Sequence, residues 1–256
     1  MEKALYAFRR RDADESKRVH MQAAGEEHRK GQGQFIKSVI YGGLDGIITT
    51  FAVVAGVAGA SLAPSIVLIL GFANLIADGI SMAIGDYLST RAEQEYEASE
   101  RAREEWEVEN YPEGEKRELV ELYVDKGVAQ EDAEAAVSIL SKNREAWVDV
   151  MMVEELGIIS SDESPLKNAL ATFFSFAVFG FVPLLTYVLG TFITAFKDNS
   201  FLFAAILTGL TLFVLGALKT ALTSRSWIRS GIEMLIVGGA AAAAAYGIGY
   251  VLSRIV

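Results

Sequence analysis

The chain has 256 residues, 52% of them hydrophobic, with a formal net charge of −10 and a mean hydropathy of +0.30. A soluble domain of this size is rarely so apolar while carrying 22% charged residues, so charge and apolarity must be segregated along the chain. There is no cysteine, which excludes disulfides, thiolate metal sites and cysteine nucleophiles.

The N-terminal 34 residues are polar and hold 8 Lys/Arg. With no early apolar core they do not read as a cleavable secretory signal, and the first span is expected to direct membrane insertion itself. This arm, 1–34, reads as a cytosolic amphipathic or flexible tail.

Five apolar segments follow that are long enough to span a bilayer, at 35–60, 64–89, 166–190, 200–223 and 230–252. The last is the weakest, since Glu233 and an alanine run dilute it. The second does not stop at the membrane. Beyond Ser89 it continues as "TRAEQEYEASERAREEWEVEN", rich in helix formers with Glu/Arg pairs three and four apart. A single helix of about 45 residues is expected, ending at "NYPEG". Shorter helices are expected near 114–126, 130–142 and 144–157 before "DESP" leads into the third span.

The charge is concentrated between Arg91 and Glu163, where 22 acidic and 8 basic residues give a net of −14. The domain plan is therefore an arm at 1–34, spans 1–2 at 35–89, an acidic helical insert at 90–165 and spans 3–5 at 166–256. Lysine and arginine concentrate in the arm, the insert and the loop holding Lys219, Arg225 and Arg229. The positive-inside rule then places the N-terminus and insert in the cytosol and the C-terminus on the other side. Small residues line the spans in "GGLDG", "GVAGA" and "GGAAAAAAYGIG". They suit close helix packing, either within one bundle or at a dimer face.

The second span carries Asn74, Asp78, Met82 and Asp86 at intervals of four, hence on one helix face. A lipid-facing carboxylate costs at least a few kcal/mol, so this stripe should face protein or water. Counted from Phe35 and Arg91 as the edges, Asp45 of the first span and Met82 of the second both lie ~14 Å deep. Asp78 lies ~6 Å deeper and Asp86 near the mouth. Oxygen ligands with a thioether suit a divalent transition metal better than Mg²⁺ or Ca²⁺. The competing reading makes Met82 a packing residue and pairs an aspartate with Lys37 or a helix terminus. Glu233 is a further proton or metal candidate, unless it pairs with Arg229 four residues before it.

In the insert, Glu104 and Glu107 are three apart, Glu115 and Glu118 repeat that spacing, and "VMMVEEL" carries Met151, Met152 and Glu155. Packed side by side, such helices could gather several carboxylates into an exchangeable metal site. The competing reading is a solvated acidic surface with both methionines in the core, although adjacent residues on one helix do not face one direction. A net of −14 argues against nucleic-acid binding. The two histidines, His20 and His28, give no Glu-x-x-His di-iron pattern, and no phosphate-binding glycine loop is present. An enzyme and an ATP-driven pump are both disfavoured.

With "YGGLDGIITTFAVVAG", "NLIADGISMAIGDYLS", "MMVEEL" and "RSGIEMLIVGG" in place, the chain resembles the vacuolar iron transporter family, and within it the plant members. That resemblance implies an all-α, five-span homodimer in the vacuolar membrane, with the path at the dimer interface and Fe²⁺ exchanged for protons. Zn²⁺, Co²⁺ and Mn²⁺ are further cargo to be considered. It also implies path roles for Asp45 and Met82, with Asn74 nearby. Glu104, Glu107, Glu115, Glu118, Met151, Met152 and Glu155 match its cytosolic metal-binding positions. A passive divalent channel and a non-transporting metal sensor stand as alternatives.

Overall fold

The computed structural model describes residues 12, 14, 32–159, 164–220 and 226–255. The reading of the arm as an amphipathic or flexible tail lies outside them, except at residues 12, 14 and 32–34. Among the described residues there is no strand. Nine helices are described: α1 (Gln32–Gly59), α2 (Pro64–Asn110), α3 (Pro112–Asp125), α4 (Gln130–Leu140), α5 (Arg144–Glu154), α6 (Pro165–Gly190), α7 (Thr194–Lys197), α8 (Ser200–Lys219) and α9 (Trp227–Leu252). Five of them, α1, α2, α6, α8 and α9, are long and apolar enough to cross a membrane. The four-residue α7, between the third and fourth spans, was not expected from sequence.

Proline sets the long elements. Pro64, Pro112 and Pro165 each open a helix, where the missing N–H costs nothing because first-turn donors have no partner inside the helix. Between them α2 runs unbroken for 47 residues, about 70 Å at 1.5 Å per residue. Stops are equally local. After α3, Gly127 adopts φ +94°, and the amides of Gly127 and Val128 reach back to Val124 and Tyr123, which satisfies the last carbonyls. Asn143 caps α5, its Oδ1 accepting from Ala146 N at 3.1 Å.

In the membrane part α6 is the hub. It packs against α1, α2 and α8, while α9 lies on α1 and α8 at the periphery. Phe176 and Leu184 of α6, Val54 of α1 and Val67 of α2 are fully buried in the shared core. The close approach of α1 to α6 depends on glycine: a Cβ added at Gly46 would overlap the Phe176 carbonyl of α6. Outer faces stay apolar, as at Ile69, Ile76 and Ile84 of α2 and Ile236 and Ile248 of α9. That is the pattern a bilayer or an apolar partner requires.

Beyond the spans, the distal half of α2 packs with α3, α4 and α5 around Val108, Leu119, Val137, Trp147, Val148, Met151 and Met152. Arg101 binds Asp149 at 2.6 Å, and Arg144 reaches the Glu105 carbonyl at 3.0 Å, so α5 is clamped to α2 by charge as well as by packing.

The glycine contact yields a stability prediction. Gly46→Val should cost about 1–3 kcal/mol through overpacking. Gly239→Ala, where an added Cβ meets nothing within 4 Å, should be neutral or mildly stabilising. Thermal loss of the monodisperse detergent-solubilised species would show it. Equal melting of the two variants would contradict close α1–α6 packing.

Candidate metal sites

The insert builds its site from three helix segments. Glu104 and Glu107 lie one turn apart near the end of α2. The turn at Tyr111–Pro112 reverses the chain, so that Glu115 and Glu118 on α3 come back alongside them. Glu155 follows α5 at its C-terminal cap, its amide donating to Met151 O. The carboxylates of Glu104, Glu107 and Glu115 have oxygens within 4.8 Å of one another, and so do those of Glu115, Glu118 and Glu155. Glu115 thus joins two overlapping groups.

These carboxylates stand in an unusual electrical setting. Glu104 is 0% and Glu115 6% exposed. Both oxygens of Glu104, and Oε2 of Glu155, are buried without a hydrogen-bond partner. Arg103 is the compensating cation, 3.0 Å from Glu100 and 3.5 Å from both Glu107 and Glu104. Its contact with Glu104 is electrostatic, at a distance and angle that make no hydrogen bond. Burial pushes Glu104 up to about 7, helped by repulsion from Glu115 and Glu107 and opposed by Arg103. Burial also lifts Glu115 and Glu155 to about 7, with neighbouring carboxylates adding to it. Such a cluster holds protons when empty and gains a strong stabilisation from any divalent cation that replaces them.

Met151 and Met152 are 0% and 4% exposed and both belong to the hydrophobic core of the insert. Neighbours on one helix do not share a single core direction. Helix α5 has two, because it packs against both α2 and α3. Burial of the pair is therefore accounted for by packing, while Met151 remains one turn from Glu155.

In the membrane part, Asn74, Asp78, Met82 and Asp86 are all half-buried along one face of α2, and Asp45 is half-buried on α1. Asp78 is close enough to Asp45 for the two to interact electrostatically. Asn74 lies one turn further from the insert, its Nδ2 buried without a hydrogen-bond partner. By residue count from the edges of the spans, Asp45 is expected level with Met82. In the structure Met82 packs against the core around Phe176 and lines a cavity of about 470 Å³, whereas Asp45 does not line it.

That cavity lies between α1, α2 and α6 at the insert end of the bundle, and Asp86 is in its wall. Thr172 of α6 donates to Asp86 Oδ2 at 2.5 Å. Lys37 also lines it, yet forms no ion pair with any aspartate among the described residues. Glu233 is exposed on α9, and the alternative pairing with Arg229 is not made. Thr172 and Arg103 escaped the sequence reading. The spacing of four between Asn168 and Thr172 in an apolar span was the available signal.

Residues 36–250 match the VIT family. The chain is 40% identical to the vacuolar iron transporter of Toxoplasma gondii over 272 residues, which cover 100% of this chain and 89% of the relative. It is 38% identical to the vacuolar iron transporter of Plasmodium falciparum, over 98% of this chain and 96% of the relative. The plant relative from Eucalyptus grandis, vacuolar iron transporter 1, is 32% identical over 84% and 85%. These relatives are named as transporters, not enzymes, and with nearly the whole chain matched this protein belongs to the VIT family.

Proposed function

We propose that the chain is a proton-coupled antiporter that moves Fe²⁺ from the cytosol into the vacuole, working as a homodimer, with Zn²⁺, Co²⁺ and Mn²⁺ as candidate secondary cargo. The observation that carries this reading is the convergence of five glutamates from three helix segments, with Glu104 and Glu115 buried and with oxygens of Glu104 and Glu155 lacking a hydrogen-bond partner. Two of them, Glu104 and Glu107, sit on the far end of the same helix that carries Asp86, Met82 and Asp78 into the apolar bundle. The names of the relatives supply the metal and the membrane.

In this reading the arm (1–34) and the insert (90–165) are cytosolic, residues 35–89 and 166–256 form the spans, and the C-terminus faces the vacuolar lumen. The insert's negative field raises the cation concentration at the mouth of the path. Glu104, Glu107, Glu115, Glu118 and Glu155 capture the ion. Met151 and Met152 provide soft donors beside them if their side chains turn from the core. All-oxygen carboxylate coordination is exchangeable, which suits transfer. The ion then passes Asp86 to the Asp45, Asp78 and Met82 level, with Asn74 beyond, and Glu233 is a candidate proton carrier. Opening toward an acidic lumen lets protons compete for the carboxylates and releases the metal.

Capture should depend steeply on pH. Binding needs the ionised carboxylates, and those of Glu104, Glu115 and Glu155 are held near 7. Fe²⁺ affinity of the insert should therefore fall at least about tenfold between pH 7.5 and pH 6, with protons released on binding. Calorimetry in two buffers of different ionisation enthalpy measures both, and a pH-independent affinity would contradict the buried-carboxylate site.

The same shifts fix the stability of the metal-free protein. Each raised carboxyl binds more protons folded than unfolded between about 4.5 and 7, so stability falls as pH rises through that window. Glu104→Gln should then raise the melting temperature at pH 7.5 and change it little at pH 5. The opposite ordering would sink the account.

Transport itself is tested in sealed liposomes with a controlled internal pH. Fe²⁺ uptake should require an acidic interior and should vanish in Asp45→Ala. Uptake indifferent to the pH gradient would favour a passive channel, and metal binding without flux in any variant would favour a sensor.

A further inference from the structure

The cavity around Asp86 differs in kind from the insert cluster. Its walls come from α1, α2 and α6 of a single chain. From Glu93 to Met82 it follows about 16 Å of α2. Its volume of about 470 Å³ is far beyond the ~10–15 Å³ that one water requires. Two side chains in its wall, Ser38 and Thr90, are 8% and 7% exposed, and among the described residues neither hydroxyl makes a hydrogen bond. Neither oxygen is sealed off by protein, so both are open to water or a ligand in the cavity.

The charges in the wall choose the ligand. Asp86 and Glu93 face one ammonium, Lys37, which pairs with neither. Thr172 fixes Asp86 through Oδ2, and among the described residues no donor reaches Oδ1. One oriented carboxylate, neutral hydroxyl oxygens and room for water describe a weak site for a cation that keeps part of its hydration shell. Asp78 is eight residues further along α2, about 12 Å away, and neither it nor Asp45 lines this cavity. An ion held here has therefore not reached the deeper aspartate pair.

We propose that this cavity is a staging site for a partly hydrated divalent cation, one in each protomer, with Asp86 as charged ligand, Thr172 as the residue that positions it, and Ser38 and Thr90 as neutral oxygen donors. The proposal rests on the transport reading for its purpose but not for its existence. An ion waiting here exchanges water for protein oxygen in two steps, first against hydroxyls and one carboxylate, then at the deeper pair, with the Met82 sulfur in the cavity wall between the two.

Gly85 provides the decisive variant. It lines the cavity, and a Cβ added there meets nothing within 4 Å. Gly85→Leu should fill the space while improving helix propensity, and monodisperse elution checks that the fold is kept. Binding is read with Mn²⁺ by electron paramagnetic resonance. The full-length protein would carry Glu104→Gln, Glu115→Gln, Glu155→Gln and Asp45→Ala, to silence the insert and the deeper pair. One residual Mn²⁺ site per protomer is expected. It should weaken about tenfold in Ser38→Ala/Thr90→Val and disappear in Gly85→Leu. No residual Mn²⁺, or residual Mn²⁺ that Gly85→Leu leaves unchanged, overturns the site.

Fe²⁺ uptake supplies a second readout. In Ser38→Ala/Thr90→Val the half-saturating Fe²⁺ should rise severalfold with maximal rate retained, whereas Asp45→Ala should be inactive at every concentration. If no form transports, the transport reading fails, and the Mn²⁺ experiment still decides the staging site.

Discussion

A carboxylate removed from water needs a cation, a donor or a proton, and this molecule repeatedly supplies less than the full requirement. Glu104 has an arginine nearby but no hydrogen bond. Asp86 has one threonine hydroxyl, and Asp45 has another carboxylate for a neighbour. Left so, each group is costly in proportion to its burial. A divalent cation and a proton are the two species that relieve the deficit, and they compete for the same oxygens. Competition between the two for these oxygens follows from the electrostatics of the site alone.

The deficit is distributed along a single rod. Helix α2 holds Glu104 and Glu107 near one end and Asp86, Met82, Asp78 and Asn74 in the apolar bundle, with no break between Pro64 and Asn110. A continuous helix fixes the axial spacing of these groups, so the insert cannot drift relative to the mouth of the bundle without bending α2. The salt bridge from Arg101 to Asp149 and the bond from Arg144 to the Glu105 carbonyl extend that rigidity to α5, and through it to Glu155.

Helix α6 has the complementary task. By packing against both α1 and α2 it separates their insert-side halves enough to leave a polar cavity, and it furnishes Thr172 to orient Asp86 there. Glycines allow α1 to sit against α6 backbone to backbone. Large apolar side chains cover much of the exposed surface of the spans, with Glu233 of α9 an exposed carboxylate among them.

Local chemistry was enough for much of this. The extent of α2 follows from proline at both borders and strong helix formers between. The five spans follow from the length of apolar runs, and the acidic insert from charge counts. Spacing of four put Asn74, Asp78, Met82 and Asp86 on one face, because helix periodicity is a property of the backbone alone. Other features depend on which surfaces meet, and no local rule contains that. The convergence of Glu115, Glu118 and Glu155 with Glu104 needs the reversal at Tyr111–Pro112 and the docking of α5. The burial of both Met151 and Met152 needs a helix with neighbours on two sides. The bond from Thr172 to Asp86 joins residues 86 positions apart, and the hydroxyls of Ser38 and Thr90 beside it matter only because three helices close around them. Periodicity fixes where a side chain points from its own helix axis. What it then touches is set by packing between helices, and here that packing decides which carboxylates lose their water.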